Sequence, residues 1–309
     1  MDHFFLNQFL ISSKGQNQID SFQAGGNRQG LNFEQIKSFL VPLPSLPEQR
    51  KIAAILNTLD NAIKNLNRII NSKVRLKESL IQDLLTRKKM FKEFKNEKLL
   101  TKRLDEVFSF LSTASYSRSQ LTSEIINASV FCIHYGDIHA TYTGPYLDLA
   151  TNKKVPALQK DVKLSASIDF LKSGDLLVAD VSEDYKGVAT SIELKNVNSK
   201  KIIGGLHTFA LRDKGYTTEG FRAYILKHPE VANELKKLAT GSSVHGLSKT
   251  SMQQVKLYIP SKKEQKKIAI VLSQAEDEIK HLHAQLDAFR QKKKGLMQVL
   301  LTGKKRVKI

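Results

Sequence analysis

One stretch of this chain occurs twice at a fixed spacing, and that duplication limits the available folds more than any other feature. Leu31, Pro44, Ser45, Glu48, Gln49, Lys51, Ile52, Ala53 and Leu56 recur 216 positions later as Leu247, Pro260, Ser261, Glu264, Gln265, Lys267, Ile268, Ala269 and Leu272. The match continues through Ile63, Lys64, Leu66, Leu80, Gln82, Leu84, Leu85, Thr86, Lys88 and Lys89. Their partners are Ile279, Lys280, Leu282, Leu296, Gln298, Leu300, Leu301, Thr302, Lys304 and Lys305. Shared helix composition does not reproduce so many identities at one offset, and the period far exceeds a solenoid repeat. The repeated unit is therefore a domain plus a spacer. The second unit runs over 94–309, whereas Phe5, Leu10, Asn17, Gly25 and Gly30 align only with Phe221, Leu226, Asn233, Gly241 and Gly246. The first unit is thus expected to keep only the tail of its domain, with about 120 residues of sheet missing ahead of Met1 if the units were once equal.

The spacers read as long helices. Ser261 and Glu264 have the spacing of a capping box, and Ser45 and Glu48 repeat it with a proline in the first turn. About 40 residues follow without a further proline, or about 60 Å of helix. Apolar positions step alternately by four and three: Ile52, Leu56, Leu59, Ile63, Leu66, Ile70, Leu80 and Leu84 in the first. Ile268, Leu272, Ala275, Ile279, Leu282, Leu286, Phe289, Leu296 and Leu300 do the same in the second. Such a stripe is a coiled-coil seam, interrupted by Lys73, Lys77 and Lys293. Because a whole domain connects the helices, they can pair antiparallel within one chain. The alternative is two amphipathic helices, each lying on its own domain.

Residues 94–260 differ. Short β-rich runs at 130–134, 175–181, 189–194 and 202–211 are punctuated by Gly174, Gly187, Gly204 and Gly205, and a helical stretch covers 218–239. The expected fold class is α+β: one complete mixed α/β domain plus two long helices forming an antiparallel coiled coil. The division reads as 1–44 (domain remnant), 45–93 (first helix), 94–260 (complete domain) and 261–309 (second helix and basic tail). With 49 Lys and Arg against 30 Asp and Glu, a net charge of +19 favours a polyanionic partner. No apolar run reaches transmembrane length and the start carries no signal-like region, so no membrane role is expected. The single cysteine, Cys132, suits a reducing, cytoplasmic setting.

Catalytic constellations are poorly supported. The segment Gly25-Gly26-Asn27-Arg28-Gln29-Gly30 has the wrong glycine spacing for a cofactor loop, and Gly303-Lys304-Lys305 lacks the rest of a phosphate-binding loop. His281 and His283 are two apart on a helix and face different ways, so they form no metal pair. His134, His139, His207 and His245 lie in the sheet domain, where one or two can meet a ligand. The nearest enzymatic pattern is Asp180 with Glu193 and Lys195, an acid followed by acid-x-lysine as in magnesium-dependent nucleases. Charged residues on a solvated strand edge fit these positions at least as well.

Several motifs together resemble the specificity subunit of type I restriction–modification systems. They are Tyr135-Gly136-Asp137-Ile138, Lys172-Ser173-Gly174-Asp175-Leu176, Gly204-Gly205-Leu206-His207-Thr208 and the loop Thr240–Ser248. The helix start Glu264-Gln265-Lys266-Lys267-Ile268-Ala269 and the end Leu301-Thr302-Gly303-Lys304-Lys305-Arg306 complete the set. The resemblance implies two target recognition domains alternating with two spacer helices that pair antiparallel. It also implies a non-catalytic reader of double-stranded DNA that docks methyltransferase subunits, joined by ATP-driven restriction and translocase subunits. No cofactor is expected on the chain itself; S-adenosylmethionine and ATP belong to the partners. This chain departs from the pattern in its shortened first domain, which suggests a one-reader form that self-associates or borrows a second reader. An enzyme, or a coiled-coil interaction protein without a nucleic-acid role, are the readings of other classes.

Candidate DNA contacts lie on loops with short polar side chains beside basic or aromatic ones. Tyr116, Ser117 and Arg118 form one group, and Arg118 can contact guanine through two nitrogens. Tyr135, Asp137, His139 and Tyr142 flank a strand end. Ser182, Glu183 and Lys186 belong to a turn whose acids can accept from cytosine amines. Ser242, Ser243, His245, Ser248 and Lys249 surround the start of a short helix that favours a phosphate.

Overall fold

The structure, a computed structural model, describes residues 1–23, 30–123, 129–142, 144–152 and 154–309. Gly25 to Gln29, including the Gly25 match to Gly241, lie outside the described residues. The chain divides into two compact units, 1–75 with 277–309 and 76–276. Both boundaries fall inside the long helices, which run over Leu46–Leu85 and Lys262–Leu300. No helix among the described residues is long and apolar enough to cross a membrane.

Unit 76–276 is built on sheets. Its five-stranded sheet has the order Phe108–Leu111, Thr208–Asp213, Leu176–Ala179, Ser191–Lys195, Tyr146–Asp148, antiparallel except for the last pair. A four-stranded sheet orders Lys201–Gly204, Val130–Ile133, Ala157–Leu158 and Leu121–Thr122. One buried cluster (Ile133, Leu147, Leu177, Ile192, Ile202, Ala210) joins side chains of both sheets. Another joins Leu176, Val178 and Leu211 to Leu84, Leu85, Phe221, Ile268 and Leu272. The expected strand at 202–211 is two strands, because Gly205 to His207 turn the chain: His207 has φ +55, and a Cβ on Gly205 would stand 2.2 Å from the His134 ring. The expected helix at 218–239 is likewise two, Arg222–Ile225 and Pro229–Leu238. Proline takes the first turn of the second, capped by His228 Nδ1, which accepts from Glu230 N at 3.3 Å.

Unit 1–75 with 277–309 repeats the tail of that domain at the same offset. Helices His3–Leu10, Ser13–Gln23 and Phe33–Lys37 stand where 216 residues later Arg222–Ile225, Pro229–Leu238 and Lys249–Gln254 stand. Its core of Phe5, Phe9, Ile52, Ala53, Leu56, Leu300 and Leu301 corresponds to Phe221, Ile225, Ile268, Ala269, Leu272, Leu84 and Leu85 in the other unit. The duplication is therefore one of packing as well as sequence.

Within each unit the long helices run antiparallel. Lys73–Glu278 at 2.7 Å and Lys293–Asp60 at 2.6 Å cross between them in one unit, Lys77–Glu276 at 2.8 Å in the other. Each lysine that interrupts the apolar stripe thus faces a carboxylate on the opposing helix. Ile52, Leu56, Leu59, Ile70, Ile268, Leu272, Ile279 and Leu286 are buried, and Ile63, Leu66, Leu282 and Phe289 half-buried. The capping box is only half formed: Ser261 Oγ accepts from Glu264 N at 3.3 Å, but the Glu264 carboxylate accepts from Arg87.

Candidate nucleic-acid interface

At one end of the sheet domain, two turns distant in sequence are tied together by backbone bonds, and a third segment joins them through a side chain. His245–Gly246 pairs antiparallel with Val181–Ser182, Thr240 and Gly246 exchange two backbone bonds, and Leu247 N donates to Asp180 O at 2.7 Å. The turns 182–187 and 240–249 are thereby fixed side by side, with the Tyr185 ring edge-on to His245 at 4.6 Å. The helix Tyr135–Ala140 joins them through His139 Nε2, 3.0 Å from Val181 O. A cleft of about 520 Å³ opens between Tyr135, His139 and the 182–187 turn.

A second, smaller cleft of about 340 Å³ lies between Phe110, Thr113, Asp180, His207 and Lys249. His207 presents its ring from the left-handed turn and stacks edge-on to Tyr135 at 5.4 Å. Its Nδ1 lies 3.2 Å from Asp180. Burial pushes the Asp180 carboxyl pKa up, and the neighbouring His207 opposes that shift. Of the four sheet-domain histidines, His139 and His245 are candidate contacts on sequence and His207 is not; the signal for it is the Gly204-Gly205 turn just before it, which turns this histidine out of a strand run.

The candidate side chains fall into two groups. Ser117, Arg118, His139, Glu183, Lys186, Ser242, Ser243, Ser248 and Lys249 are exposed, and Tyr135 and His245 half-buried. Others are spent on structure. Tyr142 is 6% exposed and Ser182 3%, so both side chains are turned into the domain. Asp137 is buried; it accepts from His134 N at 3.0 Å and holds the Arg118 guanidinium at 2.9 Å. It positions an arginine whose side chain remains exposed to solvent. The Tyr116 hydroxyl donates to Lys163 O at 3.0 Å and accepts from Ser165 N, so it anchors a loop. Ser248 caps the helix Lys249–Gln254 by accepting from Ser251 N at 3.0 Å, which occupies the helix start expected to hold a phosphate.

The acid-x-lysine reading loses its geometry. Glu193 pairs with Leu176 on the neighbouring strand, four residues from Asp180, or about 13 Å along the chain. Its carboxylate is fully buried and accepts from Gly220 N at 2.9 Å and Ala223 N at 3.0 Å, while Lys195 Nζ lies 3.5 Å above the Tyr146 ring. Among the described residues no three His, Cys, Asp or Glu side chains are placed to hold a metal ion. What the cluster offers is a set of hydrogen-bonding groups on one surface: donors in Lys186 and Lys249, acceptors in Glu183 and Asp184, and both in the histidines and serines.

Comparison with known proteins decides the family. The type I restriction modification DNA specificity domain matches residues 2–74 and 178–288, more than half of the chain. The chain belongs to this specificity family. Both matched segments of this family member contain one copy of the duplicated Glu-Gln helix start. The type I restriction enzyme MjaVIII specificity subunit of Methanocaldococcus jannaschii is 27% identical over 287 residues, 89% of this chain and 64% of the relative. The chain therefore spans under two thirds of that relative's length. Among solved structures, the type I S subunit from M. genitalium matches with a TM-score of 0.58 at 15% identity, over 97% of this chain and 73% of the other. The HsdS subunit from Thermoanaerobacter tengcongensis gives 0.52 at 17%, over 98% and 70%. At those identities the structures establish a shared fold.

Proposed function

We propose that this specificity-family chain reads DNA sequence through its sheet domain, as the non-catalytic specificity subunit of a type I restriction–modification complex. The supporting observation is the tying of residues 135–139, 182–187 and 240–249 into one polar surface on a chain of net charge +19. Base edges are read by side chains of those loops, while surface Lys and Arg hold phosphates. The two long helices serve as the spacer and dock methyltransferase subunits, which carry S-adenosylmethionine; ATP belongs to the restriction subunits, and the complex works in the cytoplasm. Duplex selection from a random pool, with the chain alone and with a methyltransferase subunit, is expected to enrich one motif. Loss of sequence preference in both states overturns the reading. Replacing Leu66 and Leu282 together with Asp is expected to part the helices and abolish methyltransferase assembly.

A second reading is favoured by one observation: two copies of the helix start accompany a single sheet domain among the described residues. In it the chain acts as a homodimer or beside a separate reader. Mapping methylated adenines in cells carrying the gene separates the cases, because a palindromic bipartite motif reports two identical readers.

A further inference from the structure

A cavity in unit 1–75 with 277–309 gathers charge that the reading loops do not use. It holds about 720 Å³, lies wholly within that unit, and is lined by both long helices and by residues 11–14. Arg290, Lys293, Lys294 and Met297 recur at three- and four-residue steps along the helix Lys262–Leu300, so one face of that helix lines the cavity. Asp60 and Ile63 come from the helix Leu46–Leu85, and Ile11 and Lys14 from the junction of the first two short helices. Gly303 takes φ +73 just past the helix end and the chain turns there, which brings Lys304 to the rim.

The lining combines three apolar side chains, Ile11, Ile63 and Met297, with five cations, Lys14, Arg290, Lys293, Lys294 and Lys304. Its one acid among the described residues, Asp60, is already answered: Oδ1 accepts from Lys293 Nζ at 2.6 Å and Oδ2 from Gln8 Nε2 at 2.7 Å. Arg290 has only the exposed Asp287, at 3.3 Å. Lys14, Lys294 and Lys304 have no carboxylate partner among the described residues.

The duplication supplies a control. Lys14, Arg290 and Lys294 align at the 216-residue offset with Glu230, Val74 and Glu78. Lys293 and Lys304 align with Lys77 and Lys88, Asp60 with Glu276, and Ile11 with Lys227. The corresponding set therefore carries three lysines and three glutamates, against five cations and one aspartate here. Shared packing does not require the excess charge. Nor is the opening a matter of cover: Glu78, Gln82, Thr86, Lys88 and Glu230 are exposed in the unit whose sheet domain is complete. A sheet domain leaves this face open, so the cavity does not depend on what precedes Met1.

We infer that this cavity binds a small polyphosphate with an apolar body, of nucleoside triphosphate chemistry. The unpaired cations hold the phosphates, and Ile11, Ile63 and Met297 pack against the base. The volume falls within the range of about 300–1,000 Å³ common for small-molecule sites. Duplex DNA presents its phosphates in regular rows on a convex surface and offers no apolar body to a concavity. An acidic peptide spreads single charges along a chain, whereas one phosphate concentrates about −1.5 to −2 in a compact group, which suits cations converging on one cavity.

Titration calorimetry on the full chain at near-physiological salt tests this, with ATP and inorganic tripolyphosphate as probes. ATP is expected to bind, and tripolyphosphate to bind severalfold more weakly because it leaves the apolar side chains uncovered. Lys14→Glu with Arg290→Val and Lys294→Glu installs the residues of the other copy, which the same packing already accommodates; ATP affinity is expected to fall about tenfold or more. Lys14→Glu alone puts an acid in the first turn of the helix Ser13–Gln23, where the helix dipole favours it, and is expected to weaken ATP binding without lowering thermal stability. Absence of ATP binding at millimolar concentration, unchanged affinity in both variants, or equal binding of tripolyphosphate overturns the proposal. Displacement of ATP by deca-glutamate at equal charge also overturns it, since any acidic chain then fills the cavity. So does a loss of duplex binding in the triple variant with ATP affinity unchanged, since the cations then hold DNA phosphates.

Discussion

Glu48 and Glu264 are the same residue of the duplicated stretch, and each accepts an arginine from just beyond the end of the opposing helix. The surroundings differ. The Arg87 side chain that meets Glu264 is 10% exposed, whereas Arg306 at Glu48 is 70% exposed. The next residue behaves alike in both copies: Gln49 Oε1 accepts from Asp2 N at 2.8 Å and Gln265 Oε1 from Thr218 N at 2.7 Å, again 216 positions apart. A conserved bonding scheme therefore sits in one unit under a full domain and in the other near water. Solvent access, rather than the bond list, sets what each copy contributes to stability.

The largest expected effect follows from that contrast. Glu264→Ala leaves the Arg87 guanidinium buried without a counter-charge and is expected to destabilise its unit by about 3–5 kcal/mol. Glu48→Ala releases an arginine that is already hydrated, and a clearly smaller loss is expected. Urea unfolding of both variants measures the difference; equal losses would show that exposure does not separate the copies. The helix-crossing pairs sharpen the same point at lower amplitude. Asp60 and Glu276 are counterparts, but Glu276 also stands near Lys227, whose pKa is lowered first by burial and then by Lys77. Glu276→Ala leaves two lysines facing each other, so it is expected to cost more than Asp60→Ala, about 2–4 against about 1 kcal/mol.

The helices and their antiparallel pairing were legible because a 3.5-residue stripe and a long proline-free run leave few alternatives. The lysines in the stripe were visible too, but their carboxylate partners were not, since a pairing of Lys77 with Glu276 depends on the register between helices. In the sheet domain the strand runs were legible and their interruptions were not. His207 and Pro229 act through local backbone geometry that periodicity averages away. Composition marks the candidate loops but cannot separate an exposed Arg118 from the buried Asp137 that holds it. Ser182 and Tyr142 look like reading groups in sequence and turn inward for the same reason. Nor does sequence show which turns meet: the pairing of Ser182 with His245 brings together residues 63 positions apart.

A further contrast concerns how each copy starts its first tail helix. In the first copy Asp2 accepts from Phe5 N at 3.0 Å, a cap supplied locally. In the second, the acceptor for Gly220 N and Ala223 N is Glu193, reaching across from the sheet. Burial pushes the Glu193 pKa up to about 7, against the pull of the Gly220 N–H, the Arg222 guanidinium and the Ala223 N–H. The folded chain then binds more protons than the unfolded chain between about 4.5 and about 7, so this group's contribution to stability falls as pH rises through that window and is flat above it. Glu193→Gln keeps an acceptor for one of the two N–H groups and removes the titration. The expected outcome is that the stability difference between wild type and this variant changes with pH below about 7 and is constant above it. Thermal unfolding at several pH values measures it, and a difference independent of pH would mean that the backbone N–H groups hold Glu193 ionised despite its burial. In that event the two caps would be equivalent in charge, and the copies would differ only in whether the carboxylate comes from the neighbouring turn or from the sheet.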